Sequence, residues 1–454
     1  MSARPRAAWP LVAVFTAGYL AAYLLPTVVG RLSAGLGLSP AEAGLVGSTL
    51  LLSSAMAGFT LASRVEQQGP RRLARWGLLL AITGYGGAAL TTLTPVVVAG
   101  AVVGGLGSGT ATAVAAAGIA AQRDPHRAST LGLLSVSATA GALYLTIPHL
   151  GGGHATPLAS IALVAALVWP ATRWLPGGSG AGVGAGGLGA GRMAGSVAPL
   201  EPVTAGEGAG GRLPHRRSGT VLAATMLCWS LAQNALWGVS GRIGLTQAGL
   251  SEVTVGMVFA AGLGAGLLGV LGAGALGARL GRAVPIGAGT AVIAGCIVVS
   301  ASARGLMSFA AGEVLWNVFY PVVLSYLIGL SASLDPRGRW AVLAGSASSL
   351  GVACGPLTGS LLSQYAGYRG MGIVLCALLL LIAAPMSAVA LHASGRPLVP
   401  GSIRRRGGTP AAVVAGRVGA SGAGLLPQIG VREQEVAEIA IRSRARRRRK
   451  VLAS

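Results

Sequence analysis

The chain has 454 residues, 53% of them hydrophobic and only 10% charged, with a mean hydropathy of +0.69. A soluble domain carries about 25% charged residues, so composition excludes an ordinary soluble protein and places most of the chain in lipid. The formal charge of +23 invites a nucleic-acid reading, which its distribution along the chain opposes.

Twelve apolar segments are predicted in chain order. The first six lie at about 9–30, 41–62, 76–95, 96–121, 128–150 and 156–175, and the second six at about 219–240, 251–278, 284–303, 305–330, 340–364 and 370–392. Each is near or above the ~20 residues that cross ~30 Å of hydrocarbon. The first segment is longer than a signal-peptide core and no clear small-residue cleavage site follows it, so it reads as a retained helix. Thirteen of the 34 basic residues follow the last segment, from Arg396 onward. Of the rest, 17 fall in the N-terminus and alternate loops, and four (Arg31, Arg242, Arg304 and Arg369) fall on the other side. That asymmetry is the positive-inside pattern and predicts both termini in the cytoplasm of a multi-pass cell-membrane protein.

The order of punctuation repeats. Gly69-Pro70-Arg71-Arg72 is echoed by Gly281-Arg282, Asp124-Pro125 by Asp335-Pro336, and Pro148 with Gly151-Gly152 by Gly355-Pro356 with Gly359, at offsets of 208 to 212 residues. Three unlike marks in one order imply two related halves. The expected domains are a cytoplasmic N-terminus (1–8), a six-helix bundle (9–175), a Gly-rich cytoplasmic linker (176–217), a second bundle (218–393) and a basic, largely disordered tail (394–454). The tail's basic run from Arg442 to Lys450 suits anionic lipid or water better than nucleic acid. Duplicated membrane bundles are the usual construction of secondary transporters, whose site lies where the halves meet.

Two loops carry a family resemblance. Ala62-Ser-Arg-Val-Glu66-Gln-Gln-Gly69-Pro-Arg71-Arg72 and Gly274-Ala-Leu-Gly-Ala278-Arg279-Leu-Gly281-Arg282 resemble the G-x-L-x-D-R-x-G-R-R signature of the major facilitator superfamily. The resemblance covers about residues 9–392. It implies an all-α fold of 12 transmembrane helices in two pseudo-symmetric six-helix bundles, with a cytoplasmic gating role for Glu66, Gly69, Arg71 and Arg72. In the second loop only Gly274, Arg279, Gly281 and Arg282 match, and Ala278 replaces the acid. Pro148-His-Leu-Gly151-Gly152 is similar to the helix-5 ending of the family's exporters with Ile147 in place of a glycine, and Gly355-Pro356 stands at the equivalent place in helix 11. The arginine that many family exporters carry in helix 4 is absent, since Val96 to Gly118 contains no charge.

One acid lies within a predicted span. Of eleven carboxylates, ten fall in loops, linker, tail or helix ends, and Glu313 lies eight residues into the tenth segment, roughly 12 Å at 1.5 Å per residue. An ionised carboxylate is expensive there, so Glu313 is a candidate proton-coupling group, with hydrogen bonding to Asn317 or Trp316 as the purely structural alternative. Asn317 and Tyr320 share its face at i+4 and i+7, with Trp316 beside them. The seventh segment offers Trp229, Gln233 and Trp237 at i, i+4 and i+8 with Asn234 adjacent, the first Tyr19 and Tyr23, and the fourth Ser108 and Thr112. The family resemblance places these four helices around a central cavity, and such side chains suit a neutral or lipophilic ligand.

The expected function is therefore alternating-access transport of a small organic molecule, with proton-coupled efflux preferred. Uptake of a sugar-like or other neutral nutrient and a non-transporting scaffold or sensor are the alternatives. No catalytic constellation, metal cluster or phosphate loop is recognisable, and no enzyme activity, cofactor or nucleic-acid partner is expected. The expected partners are the solute, protons and the bilayer, around a monomer. Cys228, Cys296, Cys354 and Cys376 all lie in predicted spans, where packing is a better reading than disulfides or zinc. Gly264-x-Gly266-x-x-Gly269 matches a dinucleotide fingerprint but lies within an apolar helix, with no preceding strand, and reads as close packing.

Overall fold

The computed structural model describes residues 8–62, 64–122, 124–151, 153–176, 215–277, 280–335 and 338–394, with backbone only at 62, 66, 126, 275 and 394. Helices make up the described chain, and no strand occurs among the described residues. α1 is a bent pair, Trp9–Tyr23 and Leu25–Leu36, that turns by 48° where Pro26 opens the second arm. α2 (Pro40–Ala62), α3 (Pro70–Ala89), α4 (Thr94–Ala120), α5 (Pro125–Thr146) and α6 (Ala155–Val168) complete the first bundle. α7 (Arg216–Arg242), α8 (Glu252–Leu276), α9 (Ala283–Ala301) and α10 (Leu306–Ser333) open the second. The continuous helix Arg339–Ser394 is α11 and α12, broken at Gly367 by a left-handed φ of 68°.

Among the described residues, eight helices are long and apolar enough to cross a membrane unaided, and the bent α1 is a ninth. Splitting the last at Gly367 gives ten. α3 and α7 bring the set to twelve; their arginines, gathered mostly at one end, and the polar face of α7 lower their hydropathy. The 12-helix, two-bundle architecture stands, with adjusted edges. α1 runs on to Leu36 rather than stopping near Gly30, and α3 begins at Pro70, six residues before its apolar stretch. Proline suits the first turn because its missing N–H has no partner to lose there. Asp124, the first member of the repeated Asp-Pro pair, caps α5 by accepting from the Arg127 amide (3.0 Å). Within the first bundle α4 packs against α2 so closely that a Cβ on Gly109 would run into the Ser54 carbonyl.

The halves meet through α1 with α7, α2 with α11 and α5 with α8. Their contacts gather toward the end of the bundle away from the linker, called here the distal end. The Trp237 indole donates to the Ala22 carbonyl (3.1 Å), the Leu357 amide to Ser48 Oγ (3.0 Å) and the Ala41 amide to Gln364 Oε1 (3.2 Å). Pro356 lies against both Gly47 and Gly238, and Gly241 against the Pro26 carbonyl. Small residues let these backbones close tightly in lipid, where apolar burial supplies no drive of its own.

Candidate functional site

On the linker side of this seam lies a small cavity between the halves. It is lined by Tyr19, Ala22, Ser54, Ser108 and Thr112 from α1, α2 and α4, and by Ser349 and Val352 from α11. Three predicted residues thus meet there, and Ser108 is held by a hydrogen bond with the Tyr85 hydroxyl (3.1 Å). Tyr23, by contrast, is buried one turn further on, where its carbonyl accepts from Tyr144 (2.5 Å).

The residues predicted on α7 and α10 assemble into one aromatic rib. Trp229 stacks on Tyr320 (centroids 5.1 Å apart), Tyr320 tilts against Trp316 (5.3 Å), and Trp316 stacks on Trp237 (5.6 Å). The Trp316 indole donates to Gln233 Oε1, fixing the two helices in register. Trp229 Nε1 and Gln233 Nε2 are buried donors with no hydrogen-bond acceptor. Asn234 turns away from this rib, donating to the Ser230 carbonyl (2.9 Å). The rib is packed wall rather than open cavity: Trp229 and Gln233 have no exposed surface.

Glu313 is fully buried, seven residues into α10. Its Oε1 accepts from Ser240 Oγ on α7 (2.9 Å) and Ser300 Oγ on α9 (2.6 Å), while Oε2 meets no donor. The expected partners are different. Asn317 donates to the backbone carbonyl of Glu313 (2.9 Å), and Trp316 is engaged by Gln233. Two hydroxyls serve a carboxylate and also serve the carbonyl oxygen of a carboxylic acid. The site therefore tolerates either protonation state, and no cation is fixed to it among the described hydrogen bonds.

Two arginines that the charge count assigned to loops are buried at the distal end, each 6% exposed. Arg31 lies on the extension of α1, where its Nη2 meets Glu252 Oε2 and its Nη1 donates to the Gly151 carbonyl, both at 2.6 Å. This ion pair joins the first half to the second. Arg242 ends the α-helical part of α7 and donates to Ser360 Oγ (2.9 Å). Ser240, Ser300, Glu252 and Ser360 carry no sequence signal of their own, because serines and helix-end acids are common in such helices.

The gating-loop residues lie at the linker end. Gly69 and Gly281 both take positive φ (86° and 68°), as tight turns require. The Arg71 amide donates to the Pro176 carbonyl (3.3 Å), Arg72 is exposed, Arg282 donates to Ser333 Oγ (2.6 Å), and Gly274 lies in the last turn of α8. The Glu66 side chain, Arg279, Gly152 and most of the linker and tail lie outside the described residues. Pro148 forms a 3₁₀ turn after α5 beside Gly256 of α8, across the seam, and Gly355 packs on Asn234 and Ala235 of α7 within the second half while Pro356 meets Gly47 across the seam.

The sequence matches no protein-family model and no curated protein. Solved structures do match in shape. A bacterial homolog of the human lysosomal transporter Spinster, in an inward-facing and unoccupied conformation, aligns with TM-score 0.60 at 16% identity over 85% of this chain and 94% of that one. The human organic anion transporter MFSD10 (TETRAN) aligns with TM-score 0.58 at 19% identity over 84% and 99%. The POT family transporter PepTSo aligns with TM-score 0.61 at 12% identity over 86% and 97%. The chain has the major facilitator fold. At these identities the likeness speaks for the fold, and the site must be argued from its own residues.

Proposed function

We propose that the chain is a secondary transporter of the major facilitator type that moves a small, largely neutral or lipophilic organic molecule by alternating access. The observation that carries this reading is the one-sided seam. The halves are latched at the distal end, a cavity with Tyr19, Ser108 and Thr112 lies just behind the latch, and the arginine distribution puts the other end toward the cytoplasm. A cavity between duplicated bundles that is closed at one end is what rocking of the halves alternately exposes.

Glu313 is the proton-coupling group in this reading, and efflux is the preferred direction. Its support is a fully buried carboxyl bridged to α7, the helix that also bears the Trp237 contact across the seam. Water reaching it from one side or the other would exchange its proton, and Ser240 would carry the change to α7. In proteoliposomes, Glu313→Gln should abolish movement driven by a pH gradient while leaving solute counterflow. Full gradient-driven transport by that variant would refute the coupling role. Loss of counterflow in the unmodified protein, with every candidate solute class, would count against transport itself.

A further inference from the structure

Arg242 has no part in that scheme, yet it is the worst-satisfied charge in the described structure. It is 6% exposed, and only its Nη2 has a partner, the neutral hydroxyl of Ser360 at 2.9 Å. Nε and Nη1 are buried and meet no acceptor. The distal acids near the seam are already engaged: Glu252 pairs with Arg31, and Glu42 accepts from the Ser39 amide and hydroxyl. A guanidinium stays charged at any biological pH, so burial without a counter-charge is strongly unfavourable.

Its place in the fold matters as much as its chemistry. Gly241, the preceding residue, packs on the Pro26 carbonyl of the first half, and Ser360 packs against Gly44, also of the first half. The Arg242–Ser360 pair is therefore covered by the seam itself. Parting the halves at the distal end lifts Pro26 and Gly44 away and opens the guanidinium to water.

We propose that Arg242 and Ser360 form a binding site for a singly charged anion, which enters from the distal side when the seam is parted and is occluded when it closes. The ligand is a carboxylate carried by the solute or a small inorganic anion such as chloride; both supply the charge and the acceptor atoms the guanidinium lacks. A ligand that binds one state better shifts the equilibrium toward that state. Closing with an anion buries a neutral pair, whereas closing without one buries a lone charge, so the anion favours the distal-closed form. This inference rests on the alternating-access reading.

The test is a distance measurement on full-length protein in lipid nanodiscs. Spin labels at Thr92 and Ser302, in the distal loops of opposite halves, would be placed in a background with the four native cysteines replaced. Sodium chloride, sodium benzoate and sodium sulfate would be compared at equal ionic strength. The expected result is a rise of about fivefold to tenfold in the closed-to-open ratio with benzoate, chloride or both, relative to sulfate. A response to chloride assigns the site to inorganic anions, and a response to benzoate alone assigns it to a solute carboxylate. Arg242→Gln should remove the anion response, Ser360→Ala should weaken it, and Arg242→Lys, which keeps the charge and guards against simple misfolding, should retain part of it. Indifference of the unmodified protein to all three salts, or an undiminished response in Arg242→Gln, overturns the proposal. Two interconverting populations that ignore the anion would sink this inference alone. A single population in every condition, together with absent counterflow, would sink the transport reading as well.

Discussion

Glu252→Gln should loosen the distal seam by an amount that follows from its geometry. Arg31 is buried and uses two nitrogens, one on Glu252 across the seam and one on the Gly151 carbonyl of its own half, each at 2.6 Å. The amide keeps the shape and one acceptor but removes the counter-charge. Hydrogen bonds between charged groups contribute about 1.5–3 kcal/mol and neutral ones about 0.5–1.5 kcal/mol, which sets the expected loss at about 1–2 kcal/mol. Because the Glu252 side chain is 43% exposed, solvent screening favours the lower figure, about 1 kcal/mol, or roughly a fivefold shift toward the distal-open form. The readout is the alkylation rate of a cysteine placed at Ser48, a buried seam position, by a membrane-impermeant maleimide added from outside, in a background without the native cysteines. The variant should react about fivefold faster, and raising the salt concentration should narrow the difference. A rate within twofold of the parent, or a slower one, would show that the ion pair does not hold the halves together.

Other substitutions test separate parts of the argument. Gly109→Val should drive a side chain into the Ser54 carbonyl between α2 and α4 and lower stability by about 1–3 kcal/mol, read as an earlier midpoint of heat-induced loss of the monodisperse peak. Trp316→Phe keeps the aromatic stack but strands the buried Gln233 carbonyl, a cost of about 1–3 kcal/mol in the same assay; an unchanged midpoint would place that bond outside the folded state. Asp124→Ala removes the cap of α5 and should cost about 1 kcal/mol without altering solute affinity, as a binding titration would verify. Ser240→Ala should reduce the pH dependence of Ser48 labelling, because it cuts the described link from Glu313 to α7, whereas Ser300→Ala leaves that link in place and should retain a pH dependence.

The architecture was legible because lipid imposes it. Spans of about 20 apolar residues and alternating arginine-rich loops are written in composition, and the repeated Gly69/Gly281 and Asp124/Asp335 marks place the two halves. The faces of the aromatic rib were legible for a related reason: helical spacing alone puts Trp229, Gln233 and Trp237 on one face of α7 and Trp316 and Tyr320 on one face of α10, and the fold turns the two faces together. What periodicity could not supply were partners from distant helices. Ser240 and Ser300 lie 73 and 13 residues from Glu313 and look like ordinary helix serines. Arg31 and Arg242 were read as loop charges because an arginine at the end of an apolar run has the same local sequence whether it faces water or a neighbouring bundle. Only the packing of α1 onto α7 and α8 decides between them.

The two buried arginines of the distal seam pull on it in opposite directions. Arg31 keeps the Gly151 carbonyl of its own half in either form but has the Glu252 carboxylate only while the distal end is shut, so that ion pair favours the closed form. Arg242 has one neutral hydroxyl while shut and gains water on opening, so its desolvation favours the open form. Glu313 keeps its two serines within the second half and is not tied to the first by a described hydrogen bond, so opening need not break its site. Opposed terms at one closure narrow the gap between closed and open forms, the gap across which a bound solute or proton can move a population. Removing the Arg31 ion pair should favour the open form, and removing the Arg242 charge should favour the closed one. The pairing of one satisfied and one unsatisfied arginine at the same closure therefore lets the balance of the gate move either way.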